Sequence, residues 1–172
     1  MHIPDKISKW IRAKNWTLHE HQIRMFKSSE CSSQLLIAPT GSGKTLAGFL
    51  PTIADLYLNP SQKLHTLYIS PLKALASDIK RNLETPIKEL ELKISVEDRT
   101  GDTKQSIKKK QRVIPPNILL TTPESLALLM SYPEAPSIFS SLKRIIVDEI
   151  HAITESKRGD QLFLAISNIR KY

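Results

Sequence analysis

Residues 38–45 read APTGSGKT, and this stretch decides the fold. Gly41 and Gly43 are two of only five glycines among 172 residues. They let the backbone wrap closely round an anion that side chains would obstruct. An apolar run, Leu35–Ala38, precedes the loop, and a helical pattern over Lys44–Leu58 follows it. Because the free N–H groups that open a helix point at phosphate oxygens, the stretch predicts a phosphate-binding loop between a strand and a helix.

The side chains of this loop suit the same chemistry. Lys44 would bring a positive charge to the outer phosphates, and Thr45 would give Mg²⁺ a hydroxyl ligand. Ala38 stands where the general pattern has its first glycine. A chance Gly-Lys-Thr turn is the alternative, and the flanking strand and helix patterns argue against it. The residues expected to hold the nucleotide are Thr40, Gly41, Ser42, Gly43, Lys44 and Thr45.

A second motif follows roughly 100 residues later, where phosphate-loop NTPases place their acidic strand end. Residues 144–151 read RIIVDEIH, an apolar strand that ends in two acids. We expect Asp148 to hold Mg²⁺ through water and Glu149 to accept the proton of the attacking water. Two solvated acids at the end of a surface strand are the alternative.

Short apolar runs alternate with amphipathic segments along the chain, which predicts a parallel sheet covered by helices. The expected strands are Leu35–Ala38, Thr66–Ser70, Ile94–Glu97, Ile118–Thr121 and Ile145–Asp148. The first expected helix opens with a Thr17–Glu20 capping box and runs through Met25. The others are Lys44–Leu58, Leu72–Leu83, Pro123–Met130 and Gln161–Tyr172, and a further helical stretch is expected after Pro86.

Composition limits the class of protein. The single cysteine excludes a disulfide framework, and no apolar run approaches the roughly 20 residues that span a bilayer. We therefore expect a soluble cytoplasmic domain without a membrane partner. The net charge of +8 favours an anionic partner. The basic run Lys104–Arg112 reads as a mobile, solvated segment that ends at Pro115–Pro116, and nucleic-acid contact there is the less favoured alternative.

The motifs together resemble a superfamily-two helicase of the DExH-box type. APTGSGKT and DEIH carry the likeness, and YISPLKALA, RTGDT and TTPESL look like the motifs that contact the nucleic-acid backbone. With RNLE and SKRGD, the chain is similar to the large helicase-related branch, nearest to the ligase-associated DEXH-box DNA helicase. The likeness runs from about Trp10 to Tyr172. It implies an α/β, RecA-like P-loop NTPase fold, a three-layer sandwich with a mostly parallel sheet.

The resemblance also assigns roles to single residues. Lys44 and Glu149 would serve catalysis, and His151 would couple the nucleotide state to a second lobe. Gln22, in WTLHEHQ, matches the adenine-reading glutamine of the family. Relatives commonly carry prolines ahead of it, where this chain has Leu18 and Glu20, so an ordinary helix-surface glutamine remains the alternative.

Nucleic-acid contacts are expected where strands end and helices begin, because hydroxyls and first-turn N–H groups there can bind backbone phosphates without reading bases. Helix capping by serine or threonine is the alternative, and the two uses do not exclude each other. The candidate residues are Ser70, Pro71, Leu72, Lys73, Arg81, Gly101, Asp102, Thr121, Thr122 and Pro123.

The resemblance implies that residues 1–172 are a truncated first RecA-like lobe, with N-terminal helices in 1–30 and the core in 31–172. A second lobe would supply an arginine finger. We expect an incomplete sheet, with a central strand position vacant or closed by rearrangement. Pairing between Leu35–Ala38 and Ile145–Asp148 would contradict the vacancy.

The expected function is the ATP-binding part of an ATP-dependent DNA helicase that uses ATP and Mg²⁺. Its expected partners are single-stranded nucleic acid, DNA rather than RNA, and DNA-repair proteins such as a ligase or nuclease. A non-enzymatic nucleic-acid-binding module is one alternative. Another is a transporter ATPase or small kinase, against which the lack of an LSGGQ-like signature and the presence of His151 argue.

Overall fold

A computed structural model describes residues 2–29, 33–39, 41–154 and 156–172. The chain divides into two compact units. The first comprises Met1–Pro60 and Pro86–Leu92, and the second comprises Ser61–Thr85 and Lys93–Tyr172. Among the described residues, no helix is both long enough and apolar enough to cross a membrane.

The first unit is helical in its described part. It contains α1 (Asp5–Ala13), α2 (Glu20–Lys27) and α3 (Lys44–Leu58), together with the last turn of α4 (Lys73–Glu89). Helix α2 packs against α3. The carboxylate of Glu89 ties the end of α4 to α1, accepting hydrogen bonds from Trp10 Nε1 at 2.6 Å and Lys14 Nζ at 2.7 Å. The buried apolar side chains of this unit include Ile7, Ile11, Phe26, Ala47, Phe49, Leu50 and Ile53.

The second unit is built on a parallel sheet of four strands, in the order β2-β3-β1-β4. The strands are β1 (Thr66–Ile69), β2 (Val96–Arg99), β3 (Ile118–Thr121) and β4 (Arg144–Val147). Besides α4, the helices are α5 (Gln105–Val113), α6 (Pro123–Met130), α7 (Ala135–Phe139), α8 (His151–Thr154) and α9 (Lys157–Ile169). Because all four strands are parallel, their carboxyl ends meet at one edge of the sheet.

Burial explains why the central strands read as apolar runs. Every residue of β1 and β3 is buried, as in a sheet covered on both faces, whereas every residue of β4 is partly exposed. Helices α6 and α9 pack against each other. The main core cluster includes Leu64, Leu67, Ile69, Leu119, Leu126, Leu129, Ile138, Phe139, Ile153, Leu162 and Ile169.

The α/β class and the parallel sheet are confirmed. The observed bounds of α3, α6 and β3 are the predicted ones, and β1, β2 and β4 differ by one or two residues at their ends. The structure places the start of α9 at Lys157 rather than Gln161. Helix α4 continues past Leu83 and through Pro86 to Glu89 as one helix.

The predicted strand at residues 35–38 is wrong. Residues 33–39 form no strand, and Leu35 and Ile37 are 72% and 86% exposed. A strand is stable only in a ladder with a neighbour, and all the strands in the described part of the chain belong to the second unit. Within that part, β4 pairs with β1 and ends the sheet on its side. The vacant strand position remains a prediction.

The basic run at residues 104–112 is not a mobile segment, because α5 covers most of it. Two buried side chains hold the helix to β2. Gln111 Nε2 donates to Glu97 Oε2 at 3.0 Å and to the Asp98 carbonyl at 3.1 Å. Arg99 Nη1 donates to the Lys108 carbonyl at 2.9 Å. These contacts join residues 9 to 14 positions apart, so charge counting along the run could not reveal them.

The expected Thr17–Glu20 capping box is also wrong. Helix α2 begins at Glu20, with His19 at the capping position. The carboxamide oxygen of Gln22 accepts the His19 N–H at 2.8 Å, which satisfies a donor that the helix leaves unpaired.

Candidate functional site

The glycine loop in the first unit has the backbone that its sequence predicts. Gly41 and Gly43 adopt φ values of +78° and +77°, a region that side chains disfavour. Gly43 caps α3, so the first free N–H groups of that helix follow the loop directly. The N–H of Ser42 donates to the Pro39 carbonyl at 3.3 Å, which closes the turn. Thr40, a predicted nucleotide ligand, lies outside the described residues.

The ammonium group of Lys44 lies at the loop that precedes its helix. Lys44 Nζ donates to the carbonyls of Ala38 at 2.8 Å and Pro39 at 3.0 Å. Both acceptors are neutral, whereas a phosphate oxygen carries a negative charge that attracts the ammonium group in addition to accepting its hydrogen bond. A phosphate at this loop could therefore displace the carbonyls from Lys44.

Gln22 is not an ordinary surface residue, because it is only 3% exposed. While its oxygen accepts the His19 N–H, its Nε2 donates to the Gly43 carbonyl at 3.0 Å. Both ends of the carboxamide are thus bonded within the first unit, and Gln22 ties α2 to the glycine loop. The adenine contact remains a prediction.

The acidic motif of the second unit begins where β4 ends. Asp148 N–H donates to the Ile69 carbonyl at 2.9 Å and extends the ladder with β1. Its carboxylate accepts two hydrogen bonds, from the Tyr68 hydroxyl at Oδ2 (2.5 Å) and from the Glu149 N–H at Oδ1 (3.0 Å). Glu149 itself has φ +47°, an unusual conformation for a residue with a side chain.

His151 opens the short helix α8 directly after the two acids. Its Nε2 lies 3.5 Å from Glu149 Oε2, and its side chain is 79% exposed. The two side chains form an ion pair only when the imidazole is protonated. The structure therefore brings Glu149 and His151 together on the surface of the second unit.

Tyr68 is a member of this site that sequence reasoning missed. It is 2% exposed, and burial, with the hydrogen bond to Asp148 as the next cause, raises its pKa well above the usual range of a tyrosine. The phenol thus stays protonated and donates to the carboxylate. A phenolic hydroxyl within a strand predicted to be buried was the available signal, since a buried hydroxyl needs a partner.

The donors in each unit fit Mg²⁺, which binds oxygen and is commonly held by one or two carboxylates and the substrate's phosphates. Thr45 offers a hydroxyl in the first unit, and Asp148 and Glu149 offer carboxylates in the second. In the described ranges, no group of three or more His, Cys, Asp or Glu side chains could form an all-protein metal centre.

The threonines where β3 ends and α6 begins support the fold of the second unit. Thr121 Oγ1 donates to the Arg99 carbonyl at 2.8 Å, and Thr122 caps α6 by accepting the Ser125 N–H at 3.4 Å. Both threonines are buried, and Pro123 is the first residue of α6. The capping alternative is confirmed for Thr122, and phosphate contact by either threonine remains a prediction.

The turn after β1 meets the turn after β2. Lys73 Nζ forms an ion pair with Asp102 at 2.8 Å, and a β-carbon on Gly101 would lie 3.1 Å from the same nitrogen. Ser70 and Pro71 are buried, whereas Leu72 is 58% exposed. Arg81 instead pairs with Asp78 of its own helix, at 2.7 Å.

Arg158 is a second residue that was not among the predicted site residues. Its Nη2 donates to the Pro71 carbonyl at 2.7 Å, and its Nε bonds to the carboxylate of Glu124. It therefore fixes the turn after β1 to the first turn of α6. The only signal was its place in SKRGD, which carried part of the resemblance.

Comparison with known proteins gives a consistent result. Residues 19–172 match the DEAD/DEAH box helicase family. ATP-dependent helicase Lhr-Core protein 2 of Thermococcus barophilus is 37% identical, over 98% of this chain and 21% of that protein. ATP-dependent helicase Lhr-Core of Methanocaldococcus jannaschii is 40% identical, over 96% of this chain and 21% of that protein.

A solved structure agrees with these relatives. The structure of Mycobacterium smegmatis helicase Lhr bound to ssDNA and AMP-PNP superposes with a TM-score of 0.91 at 36% identity, and covers 98% of this chain and 23% of that one.

The chain spans about a fifth of the length of the curated relatives that it matches. The matches confirm the RecA-like fold and the resemblance to the large helicase-related branch, while the nearer likeness to the ligase-associated enzyme remains a prediction. The chain belongs to the DEAD/DEAH box helicase family.

Proposed function

We propose that this chain provides the ATP-binding part of the first RecA-like lobe of an ATP-dependent DNA helicase, in which ATP hydrolysis drives movement along single-stranded DNA. The observation that carries the proposal is the glycine loop. Gly41 and Gly43 turn the backbone through positive φ into α3, with the ammonium of Lys44 at the same loop. The helicase family match over residues 19–172 supports it.

In this proposal the residues of the two motifs take the roles that the sequence predicts. Lys44 and the loop N–H groups would bind the phosphates, and Thr45 and Asp148 would hold Mg²⁺. Glu149 takes the proton of the attacking water, and His151 beside it links the nucleotide state to a second lobe. The bound ion would neutralise charge on the phosphates as the terminal bond breaks.

We place the nucleic acid at the carboxyl edge of the sheet in the second unit. The turns after β1 and β2 meet there through Lys73 and Asp102, and first-turn N–H groups of α6 lie at the same edge. Mycobacterium smegmatis Lhr, solved with ssDNA and AMP-PNP, supports DNA over RNA. A cytoplasmic role in DNA repair beside a ligase or nuclease completes the proposal.

ATP hydrolysis by the full-length protein, with single-stranded DNA, with RNA and with neither, tests this function. Glu149→Gln removes the proton acceptor and keeps the size of the side chain. We expect DNA to stimulate hydrolysis, and Glu149→Gln to lower kcat by roughly 10²–10⁴-fold while nucleotide binding persists.

Glu84→Gln makes the same chemical change on the exposed face of α4 and should behave as wild type. Equal rates in Glu149→Gln and wild type would contradict the proposed role of Glu149. We expect only weak turnover from the 172-residue chain alone, and strong DNA-stimulated turnover by that piece would overturn the need for a second lobe.

The net charge of +8 favours a second candidate, a nucleic-acid-binding module without turnover. Such a module would bind single strands with a steep dependence on salt, because binding releases counterions from the phosphates. Its affinity would be the same in wild type and Lys44→Ala, and neither protein would hydrolyse ATP.

A further inference from the structure

We propose that Tyr68 is a positioning residue for Asp148, whose carboxylate it holds in one orientation by a hydrogen bond from its phenol. The inference rests on the proposed function, in which Asp148 holds Mg²⁺. Tyr68 itself would touch neither the ion nor the nucleotide.

The register of the sheet creates this contact. Strands β1 and β4 are parallel neighbours in which Tyr68 lies opposite Ile146 and Ile69 lies opposite Val147. Asp148 is thus the first residue beyond the paired part of β4. The Tyr68 phenol reaches it at 2.5 Å, although 80 positions separate the two residues in the chain.

Both oxygens of the carboxylate are bonded in this arrangement. Oδ2 accepts from Tyr68, and Oδ1 accepts from the Glu149 N–H at 3.0 Å. Two donors on different oxygens fix the plane of the carboxylate. Each oxygen keeps a further lone pair, since an ionised carboxylate offers about four acceptor positions.

The donor is itself held firmly. Tyr68 is 2% exposed in a strand that is buried along its whole length, and a buried ring has little rotational freedom. Residues that orient a directly ligating carboxylate typically contribute 10–100-fold to metal affinity or activity, and we expect the lower end of that range for Asp148, which would hold Mg²⁺ through water. The orientation of Asp148 would then exist before Mg²⁺ arrives.

The alternative is that the hydrogen bond serves only the fold, because a buried tyrosine needs some partner for its hydroxyl. The two roles differ in what they do to Mg²⁺. A residue that serves only stability would change the melting temperature and leave the Mg²⁺ requirement as it is.

The test is Tyr68→Phe in the full-length protein, which keeps the buried ring and removes the hydroxyl. The readout is the Mg²⁺ concentration that gives half-maximal binding of a fluorescent ATP analogue, with thermal melting measured alongside. We expect this concentration to rise about tenfold or more, with binding in EDTA unchanged. Tyr132→Phe is the control, because it makes the same chemical change at a different ring. The centroid of that ring lies 4.1 Å from Cζ of Arg112. This variant should keep the wild-type value.

A double-mutant cycle with Asp148→Asn separates positioning from a general loss of stability. If Tyr68 acts through Asp148, Tyr68→Phe should have little further effect on the Mg²⁺ requirement in the Asp148→Asn background. An unchanged Mg²⁺ requirement in Tyr68→Phe, or an equal shift with and without Asp148, would overturn the inference and leave the proposed function intact. A wild-type protein whose nucleotide binding ignores Mg²⁺ would overturn the metal role of Asp148, and the inference with it.

Discussion

Gly43 meets two separate constraints in the glycine loop. Its φ of +77° disfavours any side chain, and a β-carbon there would lie 2.4 Å from Gln22 Nε2. Gly41 has nearly the same φ, yet a β-carbon on it would meet nothing within 4 Å. The two glycines thus separate the effect of backbone conformation from the effect of a close contact.

We predict that Gly43→Ala destabilises the protein more than Gly41→Ala does. Backbone strain costs about 1–2 kcal/mol at either position, and Gly43→Ala must also displace the buried carboxamide of Gln22. Urea unfolding of the two variants measures the difference. Equal losses would show that the contact between Gln22 and the loop does not contribute to stability.

One of the two buried side chains that hold α5 to β2 is a charged one. Arg99 is 1% exposed, and burial lowers the pKa of its guanidinium. Nη1 donates to the Lys108 carbonyl at 2.9 Å and to Gln111 Oε1 at 3.3 Å, so the side chain bonds to two residues of the helix. Gln111 and Lys110 of α5 also contact β2, through the carboxylate of Glu97 at 3.0 and 3.9 Å.

We predict that Arg99→Met loosens the attachment of α5 to the sheet. Methionine fills most of the space but donates no hydrogen bond, so amide hydrogen exchange over residues 105–113 should quicken by about tenfold. Strand β3 should keep its protection. Lys109→Met, on the exposed side of the same helix, is the control. Equal exchange in wild type and Arg99→Met would show that other contacts hold the helix.

Elements that depend on neighbouring residues could be predicted from the sequence, whereas elements that depend on contacts with distant residues could not. Helix α3 follows Gly43 directly and α6 starts at Pro123, so neighbouring residues were enough to predict both. Helix α5 was missed because its anchors lie on another element. The strand at 35–38 was wrong because a strand also needs a partner.

The candidate site likewise contains motifs that the sequence predicts and a long-range contact that it does not. The glycine loop and the DEIH motif are contiguous in sequence, and their residue types alone indicated their chemistry. The contact between Tyr68 and Asp148 joins residues 80 positions apart. It depends on the register of β1 against β4, which no local pattern specifies.

In the proposed function, the loop at residues 38–45 binds the phosphates of ATP. Titration of the full-length protein with a fluorescent ATP analogue and Mg²⁺ tests it most directly, with Lys44→Ala compared with Lys9→Ala, an exposed lysine of α1. Because a hydrogen bond to a charged group contributes about 1.5–3 kcal/mol, we predict that Lys44→Ala binds the analogue at least roughly tenfold more weakly. We predict that Lys9→Ala binds it as wild type does. Equal affinity in wild type and Lys44→Ala would contradict the claim.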